Sequence, residues 1–237
     1  MYKRQLRGYE SEGMLCSGVE LGVSGNMYPG ADYNGLLVLP EDAKTGSDVK
    51  PVLGLDDWIF DIAITANRPD CQSIIGIARE IAAVLNKEFK MPDLSYTPSG
   101  EVKEGFKVDV KANDLCPRYI ACYVSDVKIK EAPLWMKRRL ALTGMDSISN
   151  IVDITNYVLK EFGQPMHAFD CNYLEGNEIN VRRAADGEKI VTLDSQEYEL
   201  NSNNLVICDG VKAVALAGVM GGLNSEIRDT TSAVMFE

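Results

Sequence analysis

Residues 150–170 read NIVDITNYVLKEFGQPMHAFD and combine a helical pattern with a defined end. Apolar side chains recur at the spacing that places them on one face of a helix, namely Ile151, Ile154, Val158 and Phe162. Gly163 follows where glycine commonly ends helices, because it tolerates the left-handed conformation. The sequence therefore predicts a helix from about Asn150 to Phe162, with short strands after Asp170.

Two further helices are predicted before this stretch. The first has one apolar face, made of Ile74, Ile77, Ala78, Ile81 and Leu85. Asp70 is its expected N-cap and Asn86 its expected end. The second is short and runs from Pro133, a residue suited to a first helical turn, through Leu140, with Gly144 closing it.

Short strand-like runs lie on both sides of these helices. They are Gly13–Ser17, Gly35–Pro40, Trp58–Thr65, Tyr119–Val127, Ile179–Arg182 and Leu205–Cys208. Asp209-Gly210 predicts a hairpin turn whose two central residues have positive φ. The glycine-rich Ala217–Gly222 predicts a loop that approaches a ligand closely. Together the patterns predict an α+β fold of mixed sheets and packed helices, preceded by a partial β segment and a strand–helix unit.

Residues 91–100, MPDLSYTPSG, contain three prolines or glycines and few apolar side chains. Such a composition is typical of a linker. The sequence therefore predicts a break in the chain near residues 91–102.

The charge balance restricts the classes of partner. The 237 residues carry a formal net charge of −11, whereas a free-standing nucleic-acid-binding protein is normally basic. Contact with RNA is therefore expected only through a local patch, or beside a partner that supplies positive charge.

Cysteine and histidine usage argues against a metal site. The six cysteines form no C-x-x-C pair, and the chain has a single histidine, His167. No metal is therefore predicted. No apolar run approaches the roughly 18 residues of a membrane span and no secretion signal follows Met1, so a cytoplasmic protein without a membrane partner is expected.

Three stretches resemble the beta subunit of bacterial phenylalanyl-tRNA synthetases. They are Asn67–Glu80, Asn150–Val158 with Gln164–Asp170, and Leu216–Gly222 with Ser225-Glu226. In addition, Arg7–Ser17 and Leu39–Asp42 are similar to the closing strands of the OB-fold that this family contains. The motifs occur in one consistent order, and together they are specific.

The resemblance implies three segments along the chain. Residues 1–49 are expected to be the C-terminal part of an OB-fold tRNA-binding domain, and residues 50–100 a strand–helix unit with a linker. Residues 101–237 are expected to be an editing domain that is truncated at its C-terminus.

The resemblance also implies an editing site that hydrolyses mischarged tyrosyl-tRNA(Phe). Its catalytic residues would be Thr155, Asn156 and His167, and its residues that bind the tyrosine ligand would be Ala217, Gly218, Gly221 and Glu237. Glu237 would accept a hydrogen bond from the tyrosine hydroxyl. Without the family, His167 is more typical of a structural histidine, the glycines of a tight turn, and Glu237 of a frayed terminus.

Hydrolysis of an aminoacyl ester requires no covalent nucleophile. The ester is activated, so an enzyme needs mainly to position water and stabilise the developing oxyanion. The sequence has no G-x-S-x-G motif and no Cys–His arrangement, which is consistent with this chemistry.

For the complete synthetase, the resemblance implies a heterotetramer with the alpha subunit, tRNA(Phe) as a partner, and ATP with Mg²⁺ as cofactors. The family's aminoacylation site lies on the alpha subunit, and this chain has no P-loop or adenylate-forming motif. No cofactor is therefore expected in this part of the enzyme.

Two other classes of function are compatible with the sequence. The predicted strand and helix over residues 58–86 would suit a non-catalytic scaffold that packs subunits or binds tRNA. An OB-type RNA-binding module is a further hypothesis, which the net charge of −11 disfavours. Deacylation of mischarged tRNA separates the editing hypothesis from both.

Overall fold

The computed structural model describes residues 4–11, 13–98, 100 and 105–237. These residues form two compact units. The first comprises the chain up to Ala63 together with Ala132–Ile148. The second comprises Ile64–Glu131 and Ser149–Glu237.

Helices and strands are short throughout the described residues. The α-helices are α1 (Lys50–Leu53), α2 (Ile74–Val84), α3 (Leu134–Leu142) and α4 (Asn150–Phe162). Single 3-10 turns occur at Val19–Leu21, Pro69–Cys71, Cys171–Tyr173 and Leu223–Ser225. The strands are β1 (Arg4–Leu6), β2 (Tyr9–Ser11), β3 (Lys107–Val110), β4 (Cys122–Val124), β5 (Ala168–Asp170), β6 (Glu178–Arg183), β7 (Lys189–Val191), β8 (Glu197–Glu199), β9 (Leu205–Cys208), β10 (Ala213–Leu216), β11 (Met220–Gly221) and β12 (Val234–Phe236).

The first unit has a small apolar core. Its buried side chains are Val23, Met27, Tyr28, Ala31 and Leu53. Arg138 of α3 joins this core, because its guanidinium donates to the carbonyls of Met27 and Val52, each at 2.8 Å. The sequence predicts α3 inside a continuous domain over residues 101–237, whereas in the structure it packs with the N-terminal part of the chain.

Among the described residues, two of the three sheets in the second unit share a buried core, and the third is the antiparallel pair β7 and β8. The larger has the strand order β11-β10-β9-β6-β3, in which β3 and β6 are parallel and the other pairs antiparallel. The smaller is antiparallel, with the order β4-β12-β5. Phe169 and Met235 from the smaller sheet pack in one cluster with Ile179, Val181 and Ile207 from the larger. The predicted α+β fold class is confirmed.

Helix α4 confirms the helix predicted at residues 150–162. The Ser149 hydroxyl caps its first turn by accepting from the Val152 N–H at 3.4 Å. Gly163 ends it with a φ of 74°, and its N–H donates to the Leu159 carbonyl at 2.9 Å. Ile154 is 37% exposed, so the buried face is narrower than the apolar spacing predicts.

The predicted strands around Ile179–Arg182 and Leu205–Cys208 are confirmed as the antiparallel pair β6 and β9. A hairpin follows β9 as predicted, but its turn is different, because neither Asp209 nor Gly210 has positive φ. Instead, the Asp209 carboxylate accepts from the N–H groups of Val211 and Lys212, at 2.8 and 2.7 Å. Side-chain hydrogen bonds therefore define this turn.

Three strands predicted near the N-terminus do not form. The structure has no strand at Gly13–Ser17, Gly35–Pro40 or Trp58–Thr65. A strand forms only where its backbone N–H and C=O groups pair with those of a neighbouring strand. Among the described residues, a single backbone hydrogen bond joins these runs to one another, from the Leu37 N–H to the Cys16 carbonyl at 2.9 Å. In the same way, β4 covers only Cys122–Val124 of the longer run predicted there.

Helix α2 begins later than the sequence predicts. Its N-cap is Ser73, whose hydroxyl accepts from the Gly76 N–H at 3.0 Å. Asp70, the predicted cap, lies in the preceding 3-10 turn and binds the Arg68 guanidinium at 2.8 Å. The ion pair with Arg68 therefore replaces the predicted capping role of Asp70.

Candidate active site

An open cleft of about 1010 Å³ lies within the second unit. Its walls come from residues within 115–122, from residues 164–167, from the β10–β11 hairpin over 215–221, and from the end of β12. Apolar side chains of β6 and β9 also face it. Five of the site residues predicted from the sequence line this cleft: His167, Ala217, Gly218, Gly221 and Glu237.

His167 and Glu237 are neighbours because of the strand register. Ala168 of β5 pairs with Phe236 of β12, so the next residue pair along the ladder is His167 and Glu237. Their backbones are joined in both directions: the His167 N–H donates to the Glu237 carbonyl at 3.2 Å, and the Glu237 N–H donates to the His167 carbonyl at 3.0 Å. The backbone of Glu237 is therefore held in the sheet.

The imidazole of His167 is enclosed by the cleft wall. It packs edge-on against Phe169, with ring centroids 4.7 Å apart. It also lies directly on Gly221, where a Cβ would be 2.3 Å from His167 Cε1, so a larger residue there would have to displace the ring. Burial lowers the pKa of His167 to about 4, so the ring is neutral near pH 7. Nε2 is buried and has no hydrogen-bond partner among the described residues, which is unusual for a polar atom outside a functional site.

The carboxylate of Glu237 already has one protein partner. The Tyr119 hydroxyl donates a short hydrogen bond to Glu237 Oε2. Burial raises the pKa of Glu237 above its ordinary value, and the bond from Tyr119 opposes that rise. Burial and the nearby Glu237 carboxylate raise the pKa of the Tyr119 hydroxyl, so it remains a donor. Tyr119 was not among the residues predicted from the sequence, because nothing in its local pattern distinguishes it from other residues of a strand-like run.

The hairpin between β10 and β11 brings backbone groups to the cleft. Gly218 has a φ of +70°, which the tight turn requires and which favours glycine. The Ala217 N–H donates to the Leu205 carbonyl and the Val219 N–H to the Leu216 carbonyl, both at 3.0 Å. The Gly218 N–H forms no hydrogen bond within the described chain. Of the hairpin residues predicted to bind substrate, Gly218 therefore offers a free donor, whereas the Ala217 N–H is already used.

Thr155 and Asn156 are not brought together with these residues. Both lie on α4, and neither lines the cleft. The Thr155 hydroxyl is buried and donates to the Val152 carbonyl at 2.7 Å, within the same helix. Their predicted catalytic roles remain predictions that the cleft geometry does not support.

One group of potential metal ligands occurs in the described ranges, at Asp70, Cys71 and Glu80. The Arg68 guanidinium pairs with both carboxylates, at 2.8 Å to Asp70 and 2.6 Å to Glu80. This cluster lies outside the cleft, and its negative charges are compensated by arginine.

The B3/4 domain family matches residues 115–237, a range that contains every residue lining the cleft. The chain belongs to this family. It is also 48% identical over 236 residues to the phenylalanine–tRNA ligase beta subunit of Syntrophus aciditrophicus, and 50% identical over 236 residues to that of Geobacter sulfurreducens. Each alignment covers 99% of this chain and 29% of the relative.

The whole chain thus spans about three-tenths of the length of these curated relatives. It is similar as well to the crystal structure of an N-terminal fragment of the phenylalanyl-tRNA synthetase beta-subunit from Pyrococcus horikoshii. That match has a TM-score of 0.43 and 16% identity, and covers 76% of this chain and 57% of the other. The resemblance to phenylalanyl-tRNA synthetase beta subunits found in the sequence is confirmed by the curated relatives. Among the described residues, no helix is long and apolar enough to cross a membrane.

Proposed function

We propose that this chain is part of a phenylalanine–tRNA ligase beta subunit and that its cleft hydrolyses mischarged tyrosyl-tRNA(Phe). The observation that carries the proposal is the partly buried carboxylate of Glu237 beside a neutral His167, in a cleft with largely apolar walls. An apolar pocket that also contains a hydrogen-bond acceptor suits a phenol better than a phenyl ring.

The reaction is attack of water on the ester carbonyl carbon. The bond from that carbon to the ribose oxygen breaks, the ribose oxygen takes a proton, and tyrosine and tRNA are released. Neutral imidazole can accept a hydrogen bond from the attacking water, and the free Gly218 N–H can donate to the developing oxyanion. These roles of His167 and Gly218 need no covalent intermediate.

Selectivity for tyrosine follows from the weakness of apolar discrimination. A hydrophobic pocket rejects an added hydroxyl only by a factor of about a hundred. The aminoacylation pocket of the whole enzyme would therefore let some tyrosine through. A second site that binds the tyrosine hydroxyl supplies the missing discrimination, because the correct product, phenylalanyl-tRNA, lacks that group. Glu237 is the acceptor that we assign to this hydroxyl.

Substituting Glu237→Ala tests this assignment in the full-length subunit within the complete enzyme. We expect slower deacylation of tyrosyl-tRNA and a smaller margin over phenylalanyl-tRNA. A hydrogen bond to a charged acceptor contributes about 1.5–3 kcal/mol, which corresponds to roughly 10- to 150-fold in that margin. Rates are measured as release of labelled amino acid from each charged tRNA. An unchanged margin would mean that Glu237 is structural.

We also propose four properties of the whole enzyme from its resemblance to phenylalanine–tRNA ligases. They comprise a heterotetramer with an alpha subunit, binding of tRNA(Phe), use of ATP and Mg²⁺ in aminoacylation, and a cytoplasmic location. We propose that the present chain takes no part in adenylate formation.

A packing role is a second candidate for one segment. Trp58, Ile59 and Phe60 are 84%, 67% and 79% exposed within the described chain, which is unusual for consecutive large apolar residues. Such a run suits a surface that another segment or subunit covers. Charged substitutions there that impair assembly without changing deacylation by the assembled enzyme would support this role.

A further inference from the structure

The Tyr119–Glu237 contact has a consequence for specificity. We propose that Tyr119 is a positioning residue, whose hydroxyl holds the Glu237 carboxylate by Oε2 so that Oε1 accepts a hydrogen bond from the phenol of a tyrosyl ligand. This inference rests on the proposed editing function and adds a specificity-determining residue to it.

Both partners of this contact are held by the fold. Glu237 is fixed through its two backbone hydrogen bonds with His167. Tyr119 packs against the core cluster of the second unit and lies three residues before β4, whose Cys122 pairs with Phe236. The phenol and the carboxylate therefore meet beyond the paired ends of β4 and β12, and neither is a freely moving surface side chain.

The carboxylate retains capacity for a ligand. An ionised carboxylate has about four acceptor positions on two oxygens. Within the described residues, Oε2 has one partner and Oε1 has none. A ligand phenol can thus bind without displacing Tyr119, and the two phenols share one carboxylate.

The surroundings of Glu237 also determine its charge state. The titratable or charged residues that line the cleft around it are Cys116, Arg118 and Tyr119 from the segment before β4, Cys122 from β4 itself, and His167 directly before β5. The β10–β11 hairpin, residues 164–166 and the apolar residues of β6 and β9 present none. Burial favours the protonated acid, whereas the Tyr119 bond lowers the pKa of Glu237 and favours the carboxylate. An ionised carboxylate accepts and never donates, so it selects ligands that carry a donor.

Tyr119 also lowers the free-energy cost of leaving the Glu237 carboxylate without a ligand hydroxyl when phenylalanine is bound. Glu237 keeps one hydrogen bond when phenylalanine occupies the cleft, so it is not left wholly unpaired. Discrimination then comes from a single additional bond to Oε1, which we expect to amount to between about tenfold and a hundredfold.

The test is Tyr119→Phe, which removes one hydroxyl and keeps the ring, in the full-length subunit of the complete enzyme. Binding of tyrosine and of phenylalanine is measured with the aminoacylation site saturated by a non-reactive phenylalanyl-adenylate analogue. Deacylation of both charged tRNAs is followed as a function of pH. We expect the preference for tyrosine to fall on the order of tenfold, because Oε1 is no longer held toward the ligand.

The pH profile separates positioning from a general loss of structure. Removing a bond that lowers the pKa of Glu237 raises that pKa, so the carboxylate is lost at a higher pH when the solution is acidified. The acidic limb of tyrosyl-tRNA deacylation should therefore move to higher pH in Tyr119→Phe. Tyr198→Phe is the matched control, because Tyr198 donates to Asp194 Oδ2 at 2.9 Å outside the cleft. It should leave preference and profile unchanged.

The possible results separate a wrong role for Tyr119 from a wrong editing function. An unchanged preference and profile in Tyr119→Phe, together with a lost preference in Glu237→Gln, would overturn the role of Tyr119. A stronger preference for tyrosine in Tyr119→Phe would also overturn it, since Tyr119 would then compete with the ligand. Wild-type enzyme that prefers tyrosine in binding but does not deacylate would refute the editing function and leave the inference standing. Wild-type enzyme without any preference for tyrosine would refute both.

Discussion

Burial acts in opposite directions on the two ionisable groups at the end of the β5–β12 ladder. It raises the pKa of Glu237 and lowers that of His167 to about 4, so in both cases it favours the neutral form. Glu237 has a compensating hydrogen bond from Tyr119, whereas His167 Nε2 has no partner among the described residues. The site therefore combines a held acceptor with a neutral imidazole, the pair on which the proposed ester hydrolysis and phenol recognition rest.

At the scale of single residues, Gly221 controls the position of the His167 imidazole. We expect Gly221→Ala to displace the imidazole, because the new Cβ would lie 2.3 Å from Cε1 and 2.4 Å from Nε2. Overpacking of this kind costs about 1–3 kcal/mol. A displacement of about 1 Å lowers a rate by up to roughly a hundredfold. Thermal unfolding and tyrosyl-tRNA deacylation measure the two effects.

Gly35→Ala provides the matched control for that substitution. Nothing lies within 4 Å of a Cβ at Gly35, and its φ is outside the left-handed region. It should change neither stability nor deacylation appreciably. Wild-type deacylation in Gly221→Ala would contradict a functional position for the His167 ring.

At the scale of elements, α4 is defined by its two ends. Ser149 satisfies a free N–H of the first turn, and Gly163 supplies the left-handed residue that ends the last turn. Between them, the Thr155 hydroxyl bonds within the helix, and Ile151 packs with Ala168 and Val234 of the smaller sheet. The helix thus supports the strands that hold His167 and Glu237, which gives it a structural task near the cleft.

Removing the N-cap should destabilise the second unit. Ser149→Ala leaves the Val152 N–H without its side-chain acceptor, at a cost of about 1 kcal/mol in the free energy of unfolding. Chemical denaturation measures this cost. The control is Ser202→Ala, because Ser202 is exposed in a turn and its hydroxyl forms no hydrogen bond within the described residues. Equal midpoints for the two variants would contradict the capping role.

At the scale of the whole molecule, the chain crosses between its compact units more than once. Residues 132–148 pack with the N-terminal part, while the segments before and after them belong to the second unit. The linker predicted near residues 91–102 remains a prediction. Residues 91–98 form no helix or strand and are exposed, but they lie within the second unit. Residue 99 and residues 101–104, also in the predicted break, lie outside the described residues.

Limited proteolysis tests this organisation. We expect the first cuts within residues 91–102 or within the first 35 residues, because residues 91–98 are exposed and have no regular backbone pairing. Fragments are identified by mass spectrometry. Preferred cleavage between residues 150 and 222 would contradict the compact second unit, since that range contains α4, β6, β9 and β10.

Local signals in the sequence were sufficient to predict α4, β6 and β9, because helix caps and apolar periodicity depend only on residues within one element. The cleft residues His167, Ala217, Gly218, Gly221 and Glu237 came from the resemblance, since side chains so far apart in the chain share no local pattern. Only the tertiary structure revealed the Tyr119–Glu237 bond and the packing of Arg138 with the N-terminal part, and only it separated Thr155 and Asn156 from the cleft. These contacts depend on strand register and on which segments meet, and such properties are set by the packing of the whole unit.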